Sequence, residues 1–203
     1  PQSLFVEAFV REAVASRKNE LPQVAGRLPI EIRENDVTIS GKHFFYRYPS
    51  TMATRGAARK SNGPIVIVGV LSAPEHFDAR HSIRETWASK HDHSVFFIVA
   101  GPWKSLKEEF AMFGDLFWVD MEEDYHSITY KVQAFLHAVD THVDSYDYIF
   151  KTDDDSYIFL DDLKLHLGDG RPDYWGCIMA NTKPIRRKRN KWYVSIETWP
   201  HKY

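Results

Sequence analysis

The stretch PIVIVGVLS, residues 64 to 72, is a nearly continuous run of β-branched and aliphatic side chains. A strand that is covered on one face alternates apolar and polar residues, whereas a strand that is covered on both faces is apolar throughout. This run therefore predicts a strand inside a sheet that has helices on both faces. It constrains the fold more than any other feature of the chain.

After this run, strand patterns and amphipathic helix patterns alternate along the chain. In the longest helix pattern, Ile128, Val132, Phe135 and Val139 recur at spacings of three and four, so one stripe faces a core. Such alternation predicts an α/β fold with a mostly parallel sheet and helices on both faces. The predicted elements are strand 64–72, helix 76–90, strand 94–101, helix 103–113, strand 116–120, helix 125–143, strand 146–150, helix 159–167 and strand 174–179.

The first 63 residues have a different pattern. Residues 5–15 are predicted to form a short helix, and residues 28–48 alternate as an antiparallel strand pair would, with SGK as the turn. Residues 51–64 are small, basic and glycine-containing, which is typical of a linker. We therefore predict an N-terminal stem or linker segment with a short β hairpin at 1–63, followed by the main domain at 64–203.

The charge balance disfavours some classes of partner. The chain has 26 Lys and Arg against 28 Asp and Glu, so it lacks the global positive field of nonspecific nucleic-acid binders. The basic cluster at 186–191 is therefore interpreted as a solvated loop in preference to a localisation signal or a polyanion site. No apolar run approaches the roughly 20 residues that span a bilayer. We predict no nucleic-acid partner, and membrane attachment only through an anchor outside this chain.

Three consecutive aspartates, Asp153, Asp154 and Asp155, follow the apolar stretch at 146–150. Ligands of open parallel sheets collect beyond the carboxyl ends of the strands. Residues two apart in an extended chain point to the same side, so Asp153 and Asp155 can converge while Asp154 points elsewhere. Two carboxylates, with phosphate oxygens and waters, suit Mg²⁺ or Mn²⁺. The alternative is a solvated acidic turn, or a helix N-cap at Asp155 or Ser156.

Three cations are candidates for binding an anion. Arg80 and Arg84 lie four residues apart on one face of the predicted helix 76–90, where their guanidinium groups can offer paired donors to phosphate oxygens. Lys131 lies near the start of the predicted helix 125–143, from which it can reach a phosphate. The alternatives are an exposed arginine pair and a solvated lysine.

Five segments in this order closely resemble the β-1,3-galactosyltransferase family, which is glycosyltransferase family 31. They are RHSIRETW, VFFIVAG, EEDYHSITYK, YIFKTDDDSYIF and KPIRRKRNKWYVSIETWP. The resemblance covers roughly residues 64–203, and its last two segments are the most specific. It implies a GT-A fold, in which 64–203 would be the nucleotide-sugar-binding part of a glycosyltransferase domain.

The resemblance also implies roles for particular residues. Asp155 would be the main protein ligand of Mn²⁺, with Mg²⁺ as a substitute, and Asp153 would share the metal and lie against the uridine ribose. Trp192 and Tyr193 would border the sugar and acceptor pocket as stacking surfaces. The family's catalytic base lies in a Glu-Asp-Val block, which we expect beyond Tyr203 in a C-terminally incomplete chain. The residues expected at the nucleotide are Arg80, Arg84, Lys131, Asp153 and Asp154.

The activity that the resemblance implies is metal-dependent, inverting transfer of galactose or N-acetylglucosamine from a UDP-sugar in β-1,3 linkage. The acceptor would be a glycan or glycoprotein, and the location the luminal side of the Golgi membrane. The second hypothesis is a non-catalytic module that binds a nucleotide sugar or a glycan. It would apply if this chain, without the base, were the whole product.

Overall fold

The computed structural model of the protein describes residues 30–54, 63–90, 94–168, 174–176 and 182–202. The chain divides into two compact units, Pro1–Leu160 and Asp161–Tyr203. The strands of the first unit are β1 (Ile32–Ile39), β2 (Lys42–Pro49), β3 (Val66–Leu71), β4 (Val95–Val99), β5 (Leu116–Val119) and β6 (Tyr148–Asp153). The helices are α1 (Thr51–Thr54), α2 (Phe77–Glu85), α3 (Trp103–Phe113), α4 (Ile128–His142) and, beginning at the boundary with the second unit, α5 (Leu160–Gly168).

The six strands form one sheet in the order β1-β2-β5-β4-β3-β6. β3 pairs in parallel with both β4 and β6, and β4 pairs in parallel with β5. β1 and β2 add an antiparallel hairpin beside β5. The predicted α/β class with a mostly parallel sheet is confirmed, and the apolar run of β3 lies between two strand neighbours.

One face of the sheet packs on α4. Ile67 and Leu71 of β3 belong to the same buried cluster as Phe135 and Val139 of α4. Gly69 lies between them on this face, and a Cβ atom there would stand 2.6 Å from Phe135 Cε1, so the close approach requires glycine. Truncation of a buried Phe to Ala typically costs about 3–5 kcal/mol, so this contact is a major part of the core.

The opposite face is covered by α2 and α3. The guanidinium of Arg84, on α2, lies 4.7 Å from the ring centroid of Phe97 in β4. Trp103 of α3 packs on Trp118 of β5 with 5.2 Å between ring centroids. Gly114, at a φ of 63°, ends α3 in the left-handed conformation and lets the chain turn into β5. Helices therefore cover both faces, as the apolar character of β3 predicts.

The predicted N-terminal hairpin forms, but it does not stand apart from the main sheet. Ser40 and Gly41 both have positive φ, which is typical of a two-residue hairpin turn. Tyr46 and Arg47 of β2 pair with β5, and Tyr46 is buried in the same cluster as α4. A two-stranded hairpin is marginal on its own in water, so it gains stability by extending the sheet. The boundary predicted at residue 63 therefore separates parts of one sheet.

Apart from the strand predicted at 174–179, the predicted elements within the described residues agree with the structure in type, with several differences in their limits. α2 ends at Glu85, and turns replace the helix that was predicted to continue to residue 90. β6 continues to Asp153, so the first aspartate of the triplet belongs to the strand. The described start of the predicted linker is α1, in which Met52 is fully buried. The predicted helix 5–15, most of the predicted linker and residues 177–179 of the predicted strand 174–179 lie outside the described residues. Residues 174–176, the described half of that predicted strand, do not form a strand.

Candidate functional site

The strand order of the sheet reverses between β3 and β6. From β3 the sheet continues through β4 and β5 on one side, while β6 lies on the other side. Loops diverge at such a reversal and leave a crevice beyond the carboxyl ends of the strands, where open α/β sheets bind ligands. Leu71, the last residue of β3, pairs with Asp153, the last residue of β6. The candidate site therefore lies between residues 72–76 and residues 153–156.

Ser72, the first residue after β3, is buried at the centre of this edge. Its Oγ donates to Asp154 Oδ2 at 2.7 Å and accepts from Arg80 Nη1 at 2.9 Å. Its carbonyl oxygen accepts from Lys131 Nζ at 3.0 Å. Three residues that were predicted to bind the nucleotide therefore meet at one serine.

Arg80 is fully buried and makes five hydrogen bonds within the protein. Two go to Glu109 at 2.8 and 2.7 Å, and the others go to Ser72 Oγ and to the carbonyl oxygens of Ala73 and Pro74. A guanidinium has five N–H groups, so none is left over for a ligand. Arg80 thus shapes the loop after β3. Its contact with a nucleotide stays a prediction and would require one of these bonds to break.

Arg84 is also bound to protein carboxylates. It donates to Asp115 at 2.7 and 2.8 Å and to Glu109 at 2.7 Å, and its guanidinium lies 3.9 Å from the ring centroid of Phe113. Its Nη1 is buried and has no hydrogen-bond partner in the described part of the chain. Burial acts to lower the pKa of Arg84, but the bonds to Asp115 and Glu109 outweigh burial and hold the pKa above its ordinary value.

Glu109, on α3, is the buried acid that Arg80 and Arg84 share. Burial acts to raise the pKa of Glu109, but the hydrogen bonds and charges of Arg80 and Arg84 outweigh it and hold the pKa below its ordinary value. The carboxylate therefore stays charged at neutral pH. Removal of one arginine would leave a buried charge that is only partly compensated.

Lys131, in the first turn of α4, is buried and has three acceptors. Nζ lies 2.6 and 2.9 Å from the two carboxylate oxygens of Glu123 and 3.0 Å from the carbonyl oxygen of Ser72. Glu123 Oε2 also accepts from the backbone N–H of Ala100 at 3.1 Å. Lys131 thus connects the segments that follow β3, β4 and β5. An ammonium has three N–H groups, so a phosphate contact stays a prediction that would need rearrangement.

The three aspartates differ in their surroundings. Asp154 turns inward: its side chain is only 13% exposed, and Oδ2 accepts from Ser72 Oγ and lies 2.8 Å from His76 Nδ1. The side chain of Asp153 is 56% exposed and pairs with Lys151 at 2.8 Å, and Asp155 is exposed in the turn. Asp154 is therefore less exposed than Asp153 and Asp155, as the alternation of side chains along an extended chain predicts. Asp153 and Asp155 remain accessible to a ligand.

Asp153 and Asp155 have the chemistry of a site that shares a hard divalent cation with a bound phosphate. Mg²⁺ and similar ions commonly take one or two carboxylates, with substrate phosphates and waters completing the coordination. Over the described ranges, no group of three or more His, Cys, Asp or Glu side chains forms a metal cage. The two exposed carboxylates supply oxygen donors of the kind that the shared type of site uses. Metal binding by them stays a prediction.

Trp192 and Tyr193 lie in the second unit, in a segment that Arg186 organises. Both rings are exposed, and Tyr193 forms an isolated parallel bridge with Ile185. Their role in a sugar pocket stays a prediction. The guanidinium of Arg186 donates to the carbonyl oxygens of Val194, Ser195, Trp199 and His201.

The sequence patterns missed the groups that hold the three cations. Ser72 carries a local signal, since it is the first polar residue after the apolar run of β3. Glu109 and Asp115 carry none, because they reach α2 only once α3 and β5 have packed. Glu123 likewise meets Lys131 through the loop after β5. A polar residue at the carboxyl end of a buried strand is therefore the one clue that was available.

A family model that describes galactosyltransferases matches residues 78–203. The chain belongs to the galactosyltransferase family. The match includes most of α2, the aspartate turn and the segment around Arg186, and it confirms the resemblance that rests on five sequence segments.

Three curated galactosyltransferases show how far the similarity extends. The β-1,3-galactosyltransferase GALT1 of Arabidopsis thaliana is 32% identical over 148 residues, which are 66% of this chain and 23% of that protein. Human β-1,3-galactosyltransferase 1 is 28% identical over 155 residues, 70% of this chain and 48% of that protein. The hydroxyproline O-galactosyltransferase GALT2 of Arabidopsis thaliana is 30% identical over 148 residues, which are 66% of this chain and 21% of that protein. The matched chain thus spans at most about half the length of these relatives.

Proposed function

We propose that this galactosyltransferase-family chain binds a UDP-sugar and takes part in transferring its hexosyl group to a glycan or glycoprotein in β-1,3 linkage. Family membership supports glycosyl transfer. The names of the relatives favour galactose over N-acetylglucosamine as the donated sugar, and two of them favour the β-1,3 linkage. The observation that carries the proposal is the position of Asp153 and Asp155, exposed where the strand order reverses.

In this proposal Asp153 and Asp155 bind the metal, and the loop after β3 positions the nucleotide. Asp153 and Asp155 would hold Mn²⁺ or Mg²⁺ together with the donor diphosphate. The bound cation would supply Lewis-acid stabilisation of the negative charge on the leaving group. Ser72, which Arg80, Lys131 and Asp154 hold in place, would keep the loop after β3 in a shape that is ready for the nucleotide. Preorganisation of this kind reduces the ordering cost of binding.

The proposed transfer inverts the configuration of the sugar. The acceptor hydroxyl oxygen attacks the anomeric carbon from the face opposite the diphosphate, and a glycosidic C–O bond forms. The bond from that carbon to the phosphate oxygen breaks, and UDP leaves with the electron pair. A carboxylate accepts the proton of the hydroxyl during the attack.

We further propose that the protein acts on the luminal side of the Golgi membrane. The family resemblance supports this location. Among the helices of the described residues, none combines the length and the apolar character that crossing a bilayer requires. Attachment through an anchor outside this chain stays a prediction.

The test is titration of UDP into the chain, with and without MnCl₂, in a calorimeter. We expect heat of binding that depends on Mn²⁺. Asp155→Ala should weaken UDP binding by at least the roughly 10–100-fold that follows loss of a group supporting a metal. Glu108→Ala removes an exposed carboxylate from α3 and is the matched control, which should bind UDP as the unmodified chain does.

Two results would contradict the proposal. One is UDP binding that is the same with and without Mn²⁺, and the other is an Asp155→Ala variant that binds as tightly as Glu108→Ala. UDP-sugar binding without transfer by the complete protein would favour the non-catalytic binding module.

A further inference from the structure

Charge is distributed very unevenly along this chain. Residues 182–202 contain seven Lys and Arg and one acid, Glu197, a net charge of +6. The remaining residues contain 19 Lys and Arg against 27 Asp and Glu, a net charge of −8. The near-neutral total therefore conceals a strongly basic segment in the second unit.

This basic segment has a defined structure. Arg186 directs its guanidinium inward to four backbone carbonyl groups, at 2.8 Å from that of Val194 and 3.1 Å from that of His201. The backbone N–H of Asn190 donates to the carbonyl oxygen of Arg187 at 2.9 Å, which closes a turn. The side-chain oxygen Oδ1 of Asn190 accepts from the backbone N–H of Trp192 at 2.8 Å. The cations that follow Arg186 are therefore displayed on an ordered turn.

Arg187, Lys188 and Arg189 project from this turn and are exposed. Their side chains make no hydrogen bond or ion pair with any described residue. Three adjacent like charges repel one another, and a bound anion would relieve that repulsion. Exposed pairs contribute little individually, so an effective ligand must carry several negative charges at the spacing of the turn.

Two large aromatic residues are linked to the same turn: Trp192 follows it directly in sequence, and the carbonyl oxygen of Trp199 accepts from Arg186, the residue before it. Trp192 is 55% exposed and Trp199 is 46% exposed, and Lys191 Nζ lies 4.6 Å from the ring centroid of Trp192. Exposed apolar rings beside cations are suited to a ligand that has both an apolar face and negative groups. A sugar ring that bears a carboxylate or a sulfate has this combination, because its C–H face can cover an aromatic ring.

We propose that the turn at residues 187–191, with Trp192 and Trp199, binds an anionic glycan, and that the acceptor of the transfer carries negative charge. This inference rests on the proposed function for its link to the acceptor, although the binding itself does not. A glycan is favoured over a long polyanion such as nucleic acid because the rest of the chain has a net charge of −8. A short oligosaccharide can neutralise the cations of the turn, whereas a long polyanion would also be repelled by the negative charge of the rest of the chain.

The test measures binding of a trigalacturonate to the whole chain, without donor or metal. We expect binding that weakens as salt is raised, since exposed charges are screened. The fully methyl-esterified trisaccharide, which has the same length and no charge, should bind at least about tenfold more weakly, as loss of three exposed ion pairs predicts. A sulfated trisaccharide distinguishes sulfate from carboxylate as the preferred anion, and binding of either supports the proposal.

The variant Arg187→Gln/Lys188→Gln/Arg189→Gln should lose the same roughly tenfold in affinity for trigalacturonate. The matched control Lys90→Gln/Lys104→Gln/Lys107→Gln removes the same charge from exposed sites elsewhere and should keep the affinity. Equal loss in both variants would overturn the proposal, and so would equal affinity for the methyl ester. A single-stranded oligonucleotide of equal charge that binds as tightly as trigalacturonate would overturn the assignment to a glycan.

The test of anionic glycan binding is independent of the test of UDP-sugar binding. The trisaccharide titration contains no UDP and no Mn²⁺, so it does not depend on Asp153 or Asp155. With the complete protein, the triple variant should raise the KM for an anionic acceptor and leave the UDP-sugar KM unchanged. A change confined to the UDP-sugar KM would contradict a role in acceptor binding.

Discussion

Two groups of cations in this protein have opposite surroundings. At the loop after β3, Arg80, Arg84 and Lys131 are enclosed by the carboxylates of Glu109, Asp115 and Glu123. On the turn at 187–189, three cations are exposed and contact no carboxylate in the described part of the chain. The residue types are the same in both places. The neighbours that the fold supplies make the difference.

The contrast shows how burial changes what a basic side chain can do. A buried cation is costly to desolvate unless carboxylates and carbonyl groups surround it. Once it is surrounded, most of its donors are occupied, and it acts by holding neighbouring segments in place. An exposed cation without partners keeps its donors available. The first group therefore positions a candidate site, and the second is free to bind a ligand.

The largest expected effect is that of Arg80→Met. Glu109 would keep its charge with one partner fewer, and the carbonyl groups of Ala73 and Pro74 would lose their donor. Loss of one partner of a buried ion pair costs about 3–5 kcal/mol of the free energy of unfolding, which urea denaturation measures. The matched variant Arg187→Met should change it by no more than about 0.5 kcal/mol. If Arg80→Met and Arg187→Met lost equal free energies of unfolding, the contrast between buried and exposed cations would be wrong.

Lys131→Met should have the next largest effect. The thioether keeps the length of the side chain but removes the ammonium that lies 2.6 Å from Glu123 Oε1. An unsatisfied polar group costs about 1–3 kcal/mol, and we expect a value in this range because the Glu123 side chain is 23% exposed and can be hydrated. Lys107→Met, on the exposed side of α3, is the control. If the two variants unfold at the same urea concentration, Lys131 does not hold the site together.

Asp154→Asn and Asp153→Asn should sharpen the comparison within the aspartate triplet. In Asp154→Asn, the new amide oxygen would still accept from Ser72, but the charge beside His76 would be lost, at a cost of about 1 kcal/mol of stability. Asp153→Asn should leave stability unchanged and weaken Mn²⁺-dependent UDP binding. Calorimetry and urea denaturation of both variants provide the two readouts. The reverse pattern would contradict the division of tasks.

The smallest expected effect is a dependence of stability on pH through His142. Its Nε2 lies 3.0 Å from Tyr46 Oη and 3.1 Å from Asn35 Nδ2, and burial, followed by the charge of His137, holds the pKa of His142 below its ordinary 6.5. The unfolded chain then binds a proton at higher pH than the folded chain does. The stabilising contribution is complete above pH 6.5 and is lost as the pH falls from there through the folded-state pKa.

The control for this effect is His142→Gln, which keeps a side-chain acceptor but does not titrate. Urea denaturation in a series of buffers below pH 6.5 should show a shallower loss of stability for this variant than for the unmodified chain. Identical slopes would show that His142 is not the group responsible.

The fold was largely predictable from local patterns. The continuous apolar run of β3 indicated a strand covered on both faces, and the stripe of α4 indicated the helix that packs on it. The hairpin was also predictable, from its alternation and its Ser40–Gly41 turn. Its pairing with β5 was not, because Tyr46 and Val119 meet across more than 70 residues of sequence and no local pattern encodes that partner.

The candidate site was predictable in position and less so in detail. The aspartates after β6 indicated the sheet edge, because a charged triplet directly after an apolar strand falls at the carboxyl end. The surroundings of Arg80 and Arg84 were not predictable. Spacing on a helix shows that two side chains share a face, but it does not show what packs against that face.

The sequence by itself determined the family, the α/β class and the residue types at the site, since these follow from motifs and from periodicities that span only a few residues. Only the tertiary structure decided which charges are enclosed and which are exposed. The physical reason is that the state of a charge depends on desolvation and on the groups within a few ångströms. Those groups, such as Glu109 for Arg80, come from distant parts of the chain.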